Sequence, residues 1–216
     1  MIKAILFDMD GLMIDSENVT FRIVKDILEQ KGYTFTRDMY INLLGRTRQG
    51  ARDIYKGWYG EDYDYQGVSE ELAKRLIHTL SQELPIKPGL YELLNYLREN
   101  GYKTCIATSS LRSKVDAILP KTLIEYFDYV LCGDEVNIGK PNPEVFLKCC
   151  ERLNVLPEEA IVLEDSEVGI EASVNGNIKV ICIPDMKEPS DWHKKQLAGY
   201  YTSLEEVIDY LERERA

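Results

Sequence analysis

Short apolar runs without polar interruption alternate with stretches of helical period along most of this chain. The first run, Ala4-Ile5-Leu6-Phe7, stops at two carboxylates spaced two apart, Asp8 and Asp10, followed by Gly11. Apolar at every position, it predicts a strand covered on both faces, as in a parallel sheet, rather than an alternating surface strand. Four later runs repeat the pattern: Lys103-Thr104-Cys105-Ile106-Ala107, Tyr129-Val130-Leu131-Cys132, Ala160-Ile161-Val162-Leu163 and Lys179-Val180-Ile181-Cys182-Ile183. Leu90, Leu93, Leu94 and Leu97 mark a helix stopped at Asn100-Gly101, and Val168, Ile170, Ala172 and Val174 stripe another. Ser203-Leu204-Glu205-Glu206 has the form of a capping box for the last helix.

Between Asp15 and about Gln82 the pattern is helical only, with Val19, Ile23 and Ile27 on one stripe and Leu72, Leu76 and Leu80 on another. Pro85 and Pro88-Gly89 punctuate the return to alternating strands and helices. The chain is therefore expected to be α/β, with a catalytic core of residues 1–14 and 83–216 and an inserted α-helical cap domain of residues 15–82. The aromatic, acidic stretch from Tyr55 to Tyr65 breaks any long helix with two glycines. Its rings are assigned to packing inside the cap, the commoner use of aromatics, over stacking on a substrate.

Candidate chemistry gathers at the strand ends, where open α/β sheets bind ligands. Asp8 and Asp10 repel each other unless a cation or proton lies between them, and Gly11 permits a tight turn beyond. Thr108-Ser109-Ser110 follows the second strand with hydroxyls and N–H groups suited to a phosphate oxygen. Lys140, in Gly139-Lys140-Pro141-Asn142-Pro143-Glu144, sits in a turn opening a helix; the glycine spacing and Pro141 exclude a nucleotide P-loop. Glu164-Asp165-Ser166 ends the fourth strand in carboxylates, as Asp8 and Asp10 end the first, and oxygens from two neighbouring strand ends suit Mg²⁺. An EF-hand calcium loop is excluded by spacing. In the helical region Arg46 and Arg48 flank a glycine turn and offer guanidiniums to an anion.

Charge narrows the partners. With 26 Lys and Arg against 37 Asp and Glu, the net charge of −11 repels nucleic acid and anionic membranes. No segment approaches the ~18 apolar residues of a membrane span, and the N-terminal run stops at Asp8, so a cytoplasmic protein is expected. Cys105, Cys132, Cys149, Cys150 and Cys182 lie in apolar runs without ligand spacing and are expected to be reduced core residues. His78 and His193 are isolated, which leaves no zinc site or His-based triad, and both are expected at the surface.

Together, Phe7-Asp8-Met9-Asp10-Gly11, Ala107-Thr108-Ser109, Gly139-Lys140-Pro141-Asn142-Pro143-Glu144 and Leu163-Glu164-Asp165-Ser166 resemble the four motifs of the haloacid dehalogenase superfamily. The likeness spans nearly the whole chain. It is strongest to the branch of β-phosphoglucomutases and phosphosugar phosphatases with a helical cap after the first strand, which Asp15-Ser16-Glu17 also fits. The resemblance implies a doubly wound, Rossmann-like parallel sheet and a Mg²⁺-dependent phosphatase, acting as a monomer on a small phosphorylated metabolite. It makes Asp8 the nucleophile that becomes an aspartyl-phosphate and Asp10 the general acid and base. Thr108, Ser109 and Lys140 stabilise the phosphoryl oxygens, and Asp8, the Asp10 carbonyl, Asp165 and Glu164 hold the metal.

Three alternatives stay open beside it. A phosphomutase carries His where this chain has Thr20 and Lys where it has Leu44, although Arg48 is kept. A Schiff-base phosphonatase needs a cap lysine such as Lys25 or Lys56 facing the core. A non-catalytic phosphate-binding protein would be expected to lack a nucleophile, metal ligand or lysine, and none is missing.

Overall fold

The computed structural model describes residues 1–215. Strand β1 (Ala4–Phe7) is followed by four helices, α1 (Ser16–Gln30), α2 (Arg37–Leu43), α3 (Arg48–Tyr59) and α4 (Tyr65–Gln82). Alternation then begins with α5 (Leu90–Glu99), β2 (Lys103–Ala107), α6 (Arg112–Ile118), the short α7 (Lys121–Ile124) and β3 (Tyr129–Leu131). It continues through α8 (Glu144–Leu153), β4 (Ala160–Glu164), α9 (Glu167–Asn175), β5 (Lys179–Cys182) and the short α10 (Asp191–Lys194). Strand β6 (Gly199–Tyr200) and α11 (Glu206–Arg215) complete the described chain.

The strands form one parallel sheet in the order β3-β2-β1-β4-β5-β6. Ala4 pairs with Lys103 on one side and Ala160 on the other, so β1 is central. Its uninterrupted apolar run has a direct cause: both faces are covered. Ile5 and Phe7 pack into one cluster with Leu90, Leu93, Leu94 and Leu97 of α5, whereas Ala4 and Leu6 pack into another with Val145, Phe146 and Cys149 of α8. This is the doubly wound arrangement, with a polar outer face left to the helices.

Helices α1 to α4 hold a third cluster around Val24, Ile27, Leu28, Phe35, Tyr55 and Tyr63. The stripe read from the sequence divides between two cores: Ile27 joins this cluster, while Val19 and Leu80 pack into the main one. The rings of Tyr55 and Tyr63 stack at 5.3 Å, and Trp58 meets Tyr55 edge-on at 5.7 Å. The chain enters and leaves this segment side by side. Asp15 N–H donates to Pro85 O at 2.8 Å, and Lys87 N–H donates to Met13 O at 2.9 Å.

Three expectations need correction. His193 is buried, because Ser190 Oγ and Glu171 Oε1 meet its two ring nitrogens at 2.8 and 2.9 Å and supply the polar contacts that solvent would have given. His78 is exposed as expected. The last helix opens two residues later than the capping box implied: a Ser203 cap would start it at Leu204, but it begins at Glu206, whose carboxylate accepts from the N–H and hydroxyl of Thr202. Strand β6 was not anticipated, since two residues carry no readable alternation. The five cysteines are buried and unbridged.

Candidate active site

The carboxyl ends of β1, β2 and β4 and the loop before α8 converge on one point. Asp8 follows β1 directly and is held in line by its N–H bond to Leu163 O of β4 at 3.0 Å. Lys140 reaches it from the loop before α8. Its Nζ lies 2.5 Å from Asp8 Oδ1 and 2.6 Å from Glu164 Oε1, with the Phe146 ring centroid 4.8 Å away. Lys140 is 6% exposed and Glu164 fully buried, so this is a desolvated bridge rather than a surface ion pair. Burial acts to lower the Lys140 pKa, but Asp8 and Glu164 outweigh it and raise it above the ordinary lysine value. Burial pushes the Asp8 carboxyl up to about 7, against the pull of Lys140 and with a further push from Glu164.

Both carboxylate oxygens of Glu164 already accept from donors. While Oε1 meets Lys140, Oε2 accepts from Asp165 N, Ser166 N and Ser166 Oγ at 3.0, 3.0 and 2.9 Å. The approach is possible because α9 places Gly169 against the carboxylate; a Cβ there would stand 1.8 Å from Oε1. Ser166 Oγ also caps α9, accepting from Gly169 N–H at 3.1 Å.

Asp165 is the opposite case. Among the described residues no donor meets its carboxylate, and burial followed by Glu164, Asp8, Glu17 and Asp185 drives its pKa well above the ordinary value. It is admitted by Gly11, at φ +85°, where a Cβ would fall 2.3 Å from Asp165 Oδ2. Ligand oxygens of Asp8, Glu164 and Asp165 lie within 4.8 Å of one another. A clustered, desolvated set of three carboxylates, one of them (Asp165) without a donor among the described residues, fits a hard divalent cation, whose charge would offset the mutual repulsion.

Asp10 stands apart from that bridge. Lys114 Nζ meets its oxygens at 2.9 and 3.0 Å, and Ser110 Oγ donates to Oδ2 at 2.6 Å. Burial alone would raise the Asp10 pKa, yet Lys114 and Ser110 together hold it below the ordinary carboxylate value. Thr108 is buried, and its hydroxyl accepts from Ser110 N–H at 3.0 Å. The Ser109 backbone is crowded by Gly133, where a Cβ would meet Ser109 O at 2.3 Å.

Residues of α1 and of the turn after α2 face the sheet end across a cleft of about 530 Å³, lined by Glu17, Leu44, Arg46, Asp165, Glu167 and Lys187 among others. Arg46 thus lines the cleft that borders Asp165, whereas Arg48, the exposed first residue of α3, is not among the lining residues. Lys25 pairs with Glu29 at 3.6 Å and Lys56 with Glu61 at 2.6 Å, and neither lines the cleft. Sequence reasoning missed Lys114, whose contact with Asp10 joins segments 104 residues apart and left no local signal. It also missed Glu17 as a cleft group, where Tyr40 Oη donates to it. Asp185, which pairs with Lys87 at 2.8 Å, carried no signal in the sequence.

Residues 5–183 match the family of haloacid dehalogenase-like hydrolases. The chain belongs to the haloacid dehalogenase-like hydrolases. Among family relatives, it is 33% identical over 184 residues to the phosphorylated carbohydrates phosphatase of Thermotoga maritima, covering 83% of this chain and 84% of that one. It is 29% identical to hexitol phosphatase B of Escherichia coli, over 88% and 87% of the two chains. The solved β-phosphoglucomutase of Clostridium difficile superposes with a TM-score of 0.74 over 99% and 96% of the chains; at 21% identity this likeness carries the fold. This haloacid dehalogenase-like hydrolase therefore gathers Asp8, Thr108, Lys140, Glu164 and Asp165 at one end of its sheet.

Proposed function

We propose that the protein is a phosphatase that hydrolyses a small phosphorylated carbohydrate through an aspartyl-phosphate on Asp8, with residues 15–82 acting as a cap over the core. The observation that carries this reading is the buried bridge of Lys140 between Asp8 and Glu164 beside the donor-free Asp165. Asp8 is positioned to attack phosphorus, and Lys140 neutralises charge on the transferring group. Thr108 and the Ser109 backbone supply further donors to the phosphoryl oxygens. Asp10 is the group that exchanges protons with the leaving alcohol and then with water. Asp8, Asp165 and the Asp10 carbonyl would hold Mg²⁺, which when bound supplies charge stabilisation. The four donors already on Glu164 favour an orienting role for it, fixing Lys140 and the turn that carries Asp165.

Hydrolysis is favoured over mutase chemistry by two residues. The Thr20 hydroxyl is spent on Ser16 O at 2.8 Å, and Leu44 lines the cleft as hydrocarbon. The names of the relatives from Thermotoga maritima and Escherichia coli agree with a phosphorylated carbohydrate as substrate. Phosphate release from a panel of sugar and polyol phosphates with Mg²⁺ tests the reading. Turnover by the wild type and none by a folded Asp8→Asn protein is expected; near-wild-type turnover by Asp8→Asn would overturn it.

A further inference from the structure

The cleft beside Asp165 is unevenly charged. Glu17, in the first turn of α1, lines it and is fixed from behind, where the buried Tyr40 Oη donates to its Oε2. Its Oε1 meets no donor among the described residues and is left to the cleft. The cations among the lining residues are differently placed. Lys187 is exposed and held on Glu167 at 2.5 Å, and Arg46 is exposed, with its Nε donating to Asn42 O at 3.3 Å. Ile41, Leu44, Val168 and Met186 add hydrocarbon to the walls. The half-buried charge that a leaving group meets is therefore a carboxylate with one free oxygen.

We propose that Glu17 selects the leaving group, accepting a hydrogen bond from a hydroxyl of the alcohol and repelling esters that carry a second anionic group. This rests on the phosphatase reading and narrows its substrate to monophosphates of neutral, hydroxyl-bearing alcohols. A hydroxyl can donate to Oε1, and a hydrogen bond to a carboxylate is stronger than one between neutral groups. A carboxylate or second phosphate on the substrate offers acceptors and like charge, which a cleft screened from water makes costly. Attraction of one class and repulsion of the other act together on the same preference. Tyr40 is the positioning residue: by occupying Oε2 it leaves Oε1 to the substrate.

Glycerol 3-phosphate and 3-phosphoglycerate test this, because they differ only by a hydroxymethyl group in place of a carboxylate. The measurement is kcat/KM for each at saturating Mg²⁺. Nucleophile and transferred group are common to both esters, so partial unfolding or weakened metal binding lowers both alike and leaves their ratio unmoved. The wild type should favour glycerol 3-phosphate by about tenfold or more, the scale of one hydrogen bond to a charged group. Glu17→Gln removes the charge at constant size, and with Tyr40 on the amide oxygen it turns an NH₂ donor into the cleft. The ratio should then fall by about tenfold or more. Tyr40→Phe, which frees the carboxylate without discharging it, should lower the ratio by about threefold and carries the test if Glu17→Gln does not fold. A wild type that turns over neither ester, shows no preference or favours 3-phosphoglycerate overturns this inference, as does a ratio that the substitutions leave unchanged. A wild type that also releases no phosphate from sugar and polyol phosphates overturns the phosphatase reading along with it.

Discussion

Replacing Gly169 with alanine sets two physical effects against each other. Gly169 lies inside α9, away from left-handed backbone, so helix propensity favours Gly169→Ala by about 1 kcal/mol. Packing demands the opposite sign. The new methyl would stand 1.8 Å from Glu164 Oε1 and 1.9 Å from its Cδ. A free side chain would swing aside at little cost, but Glu164 is fully buried and pinned by Lys140, Asp165 N–H and both donors of Ser166. Breaking a buried ion pair costs about 3–5 kcal/mol. Less the helical gain, the substitution should cost about 2–4 kcal/mol. At about 2–4 °C per kcal/mol for a chain of this size, Tm should fall by roughly 4–16 °C. Calorimetry and steady-state turnover read both consequences, since a displaced Glu164 also releases Lys140 from Asp8. The decisive control is Gly169→Ala in a Glu164→Ala background, where the methyl has room and the substitution should become neutral or stabilising. A single variant as stable and as active as the wild type would refute the reasoning.

Further outcomes follow from the same geometry. Mg²⁺ should raise stability by about 2.7 kcal/mol at 100 times its dissociation constant, and an unchanged Tm between EDTA and Mg²⁺ would reject the metal site. Metal-free protein should lose stability as pH rises. The Asp8 carboxyl moves from 3.8 to about 7 on folding, so its contribution is complete below 3.8 and is lost on passing 7, by at most about 1.4 kcal/mol per pH unit. Urea titrations in EDTA at pH 5 and 8 check this, and Asp8→Asn should flatten the trend; a wild type more stable at pH 8 would contradict it. With β-glucose 1-phosphate, a trace of the 1,6-bisphosphate and Mg²⁺, free phosphate should exceed glucose 6-phosphate. Efficient isomerisation with little phosphate would instead mark a mutase.

The strands that bring Asp8, Thr108 and Asp165 together were legible because a parallel strand buried on both faces must be apolar throughout, and a carboxylate ending such a run stands out. Lys140 was legible from its turn. What stayed hidden depended on contacts between distant segments. Nothing local marks Lys114 as a partner of Asp10, or Asp185 as a partner of Lys87, and the roles of Gly11 and Gly169 appear only once the carboxylates they admit are in place. His193 was misjudged for the same reason, since Glu171 and Ser190 reach it only through the fold. Arg46 and Arg48 look alike in the sequence, but the start of α3 falls between them and carries Arg48 away from the cleft lining.

The central place of β1 has a consequence for how the protein is made. Its neighbours begin at Lys103 and Ala160, 99 and 156 residues beyond Ala4. At roughly 5–20 residues per second of synthesis, β1 waits about 5–20 s for its first hydrogen-bonding partner. During that interval an uncharged Ala-Ile-Leu-Phe segment has unpaired edges on both sides, the condition under which strands associate with other chains. The four helices translated in between draw most of their contacts from one another, so they can assemble while β1 is still alone. The nascent chain is thus exposed to aggregation at the very strand that later positions Asp8.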